Sequence, residues 1–196
     1  GYSKMIIEKM LDGLSVGDVR GSNPWKMVSL RYFNPIGAHP SGLIGEDPNG
    51  LPNNLNPFLL KVAIGELERL DIYGNDYPTK DGTGVRDYIH VTDLVDGHMK
   101  ALNWIFTNKG DDNSHQIFNL GTGTGYSVLE MVKAYEKVTG KDINFEMVAR
   151  RKGDIAECYA DASRAKALIG WEAKLSLAEM VKDSWNWQTK NPNGYS

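Results

Sequence analysis

Residues 117–131 constrain the fold of this chain more than any other stretch. Ile117, Phe118, Asn119 and Leu120 read as a strand. The glycine turn GTGTG (121–125) follows at once, and Ser127 with Glu130 then forms a capping box. In that box the two side chains satisfy N–H groups that a helix start leaves without partners. Val128, Met131, Val132, Tyr135 and Val138 fall on one face of the helix, and Gly140 is placed to end it. A strand turning directly into a capped helix is a building block of mixed folds. Strands and helices alternate along the rest of the chain, which makes the class α/β or α+β.

The same reading extends in both directions. Ile6, Ile7, Met10 and Leu11 lie at helical spacing, with Gly13 as a stop. The chain therefore opens in a helix with no capping segment before it, and the expectation is that upstream sequence is missing. KMVSLRYF (26–33) predicts a buried strand. Residues 34–54 hold four Pro and four Gly and predict a long functional loop. A helix is expected over 57–69, with Asn56 as its cap and Pro57 at its first position. A short strand at 72–74 leads into a turn-rich stretch, 76–84, that predicts a hairpin. An extended segment follows at 85–91.

Thr92 is expected to cap a helix whose apolar face carries Leu94, Val95, His98, Met99 and Leu102. Residues 108–115 read as a polar loop, and 145–154 as a strand running into a charged loop. Asp161 is placed to cap a short helix, and a second capping box, Ser176 with Glu179, starts the last one.

Composition narrows the function. The 196 residues carry a net charge of −3, which argues against a general nucleic-acid binder. No 18-residue apolar run is present, so no membrane span is expected. The single cysteine makes a reducing, cytoplasmic setting the default. None of the four histidines sits at metal-ligand spacing, and His98 reads as core.

The GTGTG run is G-x-G-x-G rather than the dinucleotide fingerprint G-x-G-x-x-G, and favours a tight strand-to-helix turn over a cofactor site. Cys158 has no base near it in sequence and reads as a small packed residue. Arg86 and Arg151 each lie beside a glycine turn. They suit two phosphates of one ligand or ion pairs with Asp87 and Asp154, and spacing leaves both open. Asn34, Asn53 and Asn54 suit sugar hydroxyls, a uracil edge or turn formation.

Four blocks carry a resemblance: RYFNPIGAHPSGLIGEDPNGLPNNL, YGNDYPTKDGTGVRDYIHVTDL, FNLGTGTGYSVLEMV and RRKGDIAECYAD. Together they resemble the UDP-glucose 4-epimerase family of extended short-chain dehydrogenases, over the whole chain but only over the C-terminal part of the family's length. The resemblance implies an α/β fold: the C-terminal remnant of a Rossmann-type parallel sheet (1–34), and a smaller α/β UDP-sugar-binding domain (mainly 35–196) with segments returning to that sheet. It implies an NAD-dependent isomerase that interconverts UDP-galactose and UDP-glucose, and the N-acetyl forms, by hydride removal and return at sugar carbon 4.

The implied roles go position by position. Lys4 matches the lysine of the family's Tyr-x-x-x-Lys motif, which holds the nicotinamide ribose and lowers the tyrosine pKa. The matching tyrosine falls before Gly1, and Tyr2, two residues from Lys4, cannot replace it. Tyr32 and Phe33 match positions lining the nicotinamide of NAD. Asn34 matches a substrate contact, and Asn53, Asn54 and Leu55 a segment holding the sugar nucleotide. Asp71, Ile72 and Tyr73 match the strand that brackets the uracil. Arg86 and Arg151 match the diphosphate pair, and Asp154 a residue on the uridine ribose. Cys158 matches a position bordering the sugar, where a small side chain leaves room for an acetamido group. The isolated chain is expected to be inactive and the intact enzyme a homodimer. A non-catalytic UDP-sugar-binding product, or a sibling nucleotide-sugar epimerase or dehydratase, are the other readings.

Overall fold

The computed structural model describes residues 1–16, 25–50, 52, 54–107 and 115–195. It contains α1 (Tyr2–Val16), β1 (Met27–Tyr32), β2 (Asn34–Ile36), α2 (Leu55–Ala63), β3 (Leu70–Tyr73), β4 (Val85–His90) and α3 (Val91–Thr107). These are followed by β5 (His115–Leu120), β6 (Gly125–Ser127), α4 (Val128–Thr139), β7 (Phe145–Val148), β8 (Glu157–Cys158), α5 (Ser163–Ile169) and α6 (Leu177–Lys190). No helix among the described residues is long and apolar enough to cross a membrane.

The pairing is mainly parallel, as expected of an α/β chain. β1 runs beside β5, β2 beside β4, and β3 beside β7, all parallel. β6 pairs antiparallel with the first half of β4, whose other side takes β8. Strand alternation makes β4 the divider of two cores. Tyr88 faces one, with Leu59, Leu60, Ile72, Met131, Tyr135 and Met180 under α2, α4 and α6. Ile89 faces the other, with Leu94, Phe118, Leu120, Ala165 and Trp171.

The residue before Tyr88 holds the strands together. Asp87 is fully buried. One carboxylate oxygen accepts from the Thr122 N–H at 3.0 Å and the Thr122 hydroxyl at 2.6 Å. The other accepts from the Gly123 N–H at 2.9 Å and the Ala160 N–H at 3.1 Å. The anion at the GTGTG turn is thus the protein's own carboxylate, which settles the turn as structural and leaves no room for a pyrophosphate there.

Both capping boxes form, at Ser127/Glu130 and Ser176/Glu179. Gly140 ends α4 in the left-handed region at φ 65°. The cap residue of α5 is Ala162 rather than the expected Asp161, which lies one residue further out and whose carboxylate accepts from the Ser163 N–H.

Several expectations are corrected. α1 continues through Gly13 to Val16, and Ile6, Ile7 and Met10 stand exposed. β1 is half-buried because among the described residues it pairs on one edge only. The predicted loop at 34–54 begins with a strand, β2.

α2 starts at Leu55 and ends at Ala63. Asn56 does not cap it: the side chain is buried in a network with Tyr135, Ser184 and Glu46. Residues 76–84 are not a hairpin, since β3 and β4 join different sheets. Thr92 lies inside α3, and its N–H donates to the His90 ring, which acts as the cap. α3 buries Leu94, Gly97 and Ala101, while Val95, His98, Met99 and Leu102 are exposed. Gly97 is needed there: a Cβ would stand 2.7 Å from a Leu120 methyl and 3.2 Å from the Trp171 ring nitrogen. His115 opens β5, and residues 108–114 lie outside the described set.

Asp87→Ala would remove the shared acceptor of four donors, of which the Ala160 N–H is buried and the Thr122 and Gly123 groups lie nearer the surface. A buried donor left unpaired costs about 1–3 kcal/mol before relaxation. The expected outcome is a loss of about 1–3 kcal/mol, read as a lower urea midpoint at unchanged slope.

Candidate functional site

Two adjoining cavities open where β1 and β3 end and where β2 begins. The larger, about 560 Å³, runs from Pro52, Asn54, Leu55 and Phe58 along β3 to Arg86, Arg151 and Asp154. The smaller, about 400 Å³, is bounded by Arg31, Tyr32, Phe33, Asn34, Arg86, Ile155 and Cys158. Asn34 and Arg86 line both, so the two form one groove with a cation at its waist.

Each wall follows from local structure. β1 ends at Tyr32, and the Phe33 N–H still bonds the Leu120 carbonyl at 3.1 Å, which carries the chain past the sheet to Asn34. The Asn34 amide donates to the Asp87 carbonyl at 2.9 Å. Because Asp87 points inward, its neighbour Arg86 points to the groove. The Arg86 guanidinium donates to the Val85 carbonyl at 2.8 Å and has no carboxylate partner among the described residues. Arg86 and Asp87 are therefore not the ion pair that spacing allowed. β8 brings Cys158 opposite Arg86.

At the other end, β3 pairs with β7 on one edge. Leu70 and Ile72 turn into the core, while Asp71 and Tyr73 are exposed. Among the described residues its second edge is unpaired and offers main-chain groups at the cavity wall. The Arg151 guanidinium lies 4.6 Å from the Tyr73 ring centroid and bonds Asp154 at 3.0 Å, so the Arg151–Asp154 pair does form. Burial pushes the Tyr88 phenol above its ordinary value, so it meets the cavity as a neutral hydroxyl.

The structure gathers Asn34, Asn54, Leu55, Asp71, Ile72, Tyr73, Arg86, Arg151 and Asp154 around the larger cavity, and Tyr32, Phe33 and Cys158 around the smaller. Lys4 is exposed on α1 and lines neither. Asn53 lies outside the described residues. Sequence reasoning missed Phe58, Tyr77, Tyr88, Arg31 and Ile155. Tyr88 and Arg31 were reachable by strand alternation from neighbours already singled out. Phe58 and Ile155 carry no local signal. Tyr77 holds the one buried side-chain polar atom without a hydrogen-bond partner among the described residues, its hydroxyl, which no sequence pattern shows.

No cluster of three or more His, Cys, Asp or Glu suited to a metal occurs among the described residues. The chain's fit to NAD is partial. Tyr32 and Phe33 give the smaller cavity an aromatic wall at the carboxyl end of a parallel strand, where ligands of open α/β sheets bind. That suits the nicotinamide end, and with the GTGTG turn occupied by Asp87, the chain offers no second site for the cofactor's pyrophosphate there.

Arg31 ties this wall to α1. Glu8 accepts from Arg31 Nε at 2.7 Å and Nη2 at 2.5 Å. The hydrogen bond to Arg31 holds the Glu8 carboxyl below the usual glutamate range. A depressed carboxylate pKa adds stability above the unfolded value, and that stability is lost as pH falls through the folded one. Carboxyl NMR should therefore show Glu8 titrating below ordinary glutamates, and Arg31→Met should raise it.

A family model described as GDP-mannose 4,6 dehydratase matches residues 3–184. UDP-glucose 4-epimerase of Bacillus subtilis is 58% identical over 195 residues, which cover 100% of this chain and 55% of that protein. The structure of UDP-glucose 4-epimerase from Bifidobacterium longum, in complex with NAD+ and UDP, is 52% identical with a TM-score of 0.90. That match covers 99% of this chain and 55% of the other. A second, from Stenotrophomonas maltophila with bound NAD and formylated UDP-arabinopyranose, is 45% identical with a TM-score of 0.88, and covers 97% and 55%. The chain thus spans about half the length of the relatives it matches.

Proposed function

We propose that this chain, which belongs to the GDP-mannose 4,6 dehydratase family, supplies the UDP-sugar site of a UDP-glucose 4-epimerase. The observation that carries the reading is Arg86 at the waist of the two-chambered groove. A sugar nucleotide has that layout: a flat base and ribose, a doubly charged diphosphate, and a sugar.

The base enters the larger cavity. Asn54, Leu55 and the open edge of β3 at Asp71, Ile72 and Tyr73 offer it donors, acceptors and an aromatic face. Asp154 suits the ribose hydroxyls. Arg86 and Arg151 close on the diphosphate with charge-assisted hydrogen bonds, the geometry for which guanidinium is best suited. Arg151 leaves only the half-buried Asp154 carboxylate and a ring face to do so.

The sugar then lies in the smaller cavity, between Asn34 and Cys158. Binding energy spent on UDP anchors the substrate while the sugar turns. NAD held against Tyr32 and Phe33 would supply hydride removal at sugar carbon 4 and hydride return to the opposite face. Tyr32 and Phe33 wall the nicotinamide and exclude water. Lys4 supplies a cation that favours the ionised form of a phenol acting as general base. The exposed apolar residues of α1 and α3 flank β1, and suit burial by the remaining length seen in relatives or in a homodimer. A reducing, cytoplasmic setting fits the single cysteine.

Calorimetry on the full-length product tests the reading. UDP should bind much more tightly than uridine. Arg86→Ala should weaken UDP by about ten- to a hundredfold, the worth of a charged hydrogen-bonding group, and uridine hardly at all. Equal affinities for UDP and uridine, or no heat with UDP, refute it. For the sugar end, Cys158→Tyr should cut turnover of N-acetylated UDP-sugars while UDP-galactose is still converted; equal rates before and after would remove the wide-pocket reading.

A further inference from the structure

Helix α1 docks on its sheet in an unusual way. Its large apolar side chains Met5, Ile6, Ile7, Met10 and Leu14 are exposed, Leu11 is half-buried, and among the described residues of the helix only Ser15 is buried. What holds the helix is a pair of polar links on another face. Glu8 takes both nitrogens of the Arg31 fork. Asp12 meets His115 Nδ1 at 2.6 Å, and His115 Nε2 meets the Ser29 hydroxyl at 2.8 Å. The His115 side chain is 1% exposed. The Ser29–His115–Asp12 connectivity resembles a nucleophile relay, but none of the three lines either cavity, so the chain of bonds serves to dock the helix.

The spacing of the two links fixes the register. From Asp12 back to Glu8 is four helical residues, about 6 Å. From Ser29 forward to Arg31 is two strand residues, about 6.6 Å. The helix therefore runs antiparallel to β1 with its rise matched to the strand. One more turn back reaches Lys4, and two more strand residues reach Phe33, at the wall of the smaller cavity. Lys4, Glu8 and Asp12 share one stripe of the helix. Apolar docking would let the helix slide or roll; two hydrogen-bonded links at matched spacing do not.

We propose that Glu8 and Asp12 are positioning residues that fix Lys4 at the carboxyl end of β1, through Arg31 and through His115 with Ser29. The proposal rests on the reading of Lys4 and the smaller cavity given above, and adds to it the device that sets the lysine's place.

The test is a double-mutant cycle on the full-length protein, reading NAD affinity, kcat and KM for UDP-galactose, and Tm. Glu8→Ala should lower NAD affinity and kcat, each by about tenfold, with KM little changed, because small misplacements of a positioning group act on turnover. In a Lys4→Met background the same substitution should cost nothing further, since the group it positions is gone. Asp12→Ala, which breaks the other link, should behave alike and covers the case in which Glu8→Ala fails to fold. Equal losses in both backgrounds would show that Glu8 acts only on stability and would overturn the proposal. Lys4→Met without effect on NAD affinity or kcat would overturn it too, by removing the role of Lys4 itself. Neither outcome touches the UDP site, which stands or falls on Arg86.

Discussion

The buried carboxylate of Asp87 is the constraint on which the groove depends. A charge with no solvent contact is tolerated only where donors surround it, and here four converge from two distant segments, the GTGTG turn and Ala160. Those bonds fix β4 against β6 and β8. They also decide which way β4's other side chains point. With Asp87 inward, Arg86 faces the groove, Tyr88 and Ile89 divide the two cores, and the Asp87 carbonyl is left to orient the Asn34 amide. Both residues shared by the two cavities thus take their position from one acidic side chain that touches neither.

The groove itself is built from ends. β1 and β3 reach the groove with their last residues, and β2 and β4, parallel to each other, reach it with residues at their starts. Strand termini that meet at one place leave main-chain groups and terminal side chains free. A ligand can then be met by Phe33 just beyond β1, by Asn34 and Arg86 from the β2–β4 pair, and by Tyr73 from the β3–β7 pair. None of these has to leave a packed core to do so, and Ile36, Ile72 and Tyr88, one or two positions away, stay buried.

How far this could be read from the sequence depends on whether the cause was local. The capping boxes and the glycine that ends α4 were legible, because Ser127, Glu130 and Gly140 act within a few residues of one another. The core face of α3 was not. The helix carries one stripe of large apolar residues, Val95, Met99, Leu102 and Phe106, and one of small ones, and periodicity favours the large. The structure buries Leu94, Gly97 and Ala101 because Leu120 and Trp171 fill the space that larger side chains would need. Asn56 looked like a cap and became a buried network residue, since its partners, Tyr135 and Ser184, lie 79 and 128 residues away. The hairpin at 76–84 failed for the same reason: β3 and β4 each find a better partner far along the chain. In the site, the arginines and asparagines stood out by residue type. Phe58, Tyr77 and Ile155 reach it only through tertiary packing.

The two arginines of the groove also differ in a way that bears on how a diphosphate would be met. Arg86 has no carboxylate partner among the described residues and keeps one bond to its own strand's backbone. Its cost of desolvation is not repaid within the chain, so an anion at the waist gains nearly the whole of a charged hydrogen bond. Arg151 is held by Asp154 and by the Tyr73 ring. That ion pair lies at the surface, with Arg151 exposed and Asp154 half-buried, and surface pairs are worth about 0–1 kcal/mol. Exchanging it for two phosphate oxygens loses little and frees both Asp154 and the face of Tyr73. One arginine is therefore fixed in advance and the other is stored on the surfaces that the nucleoside would occupy.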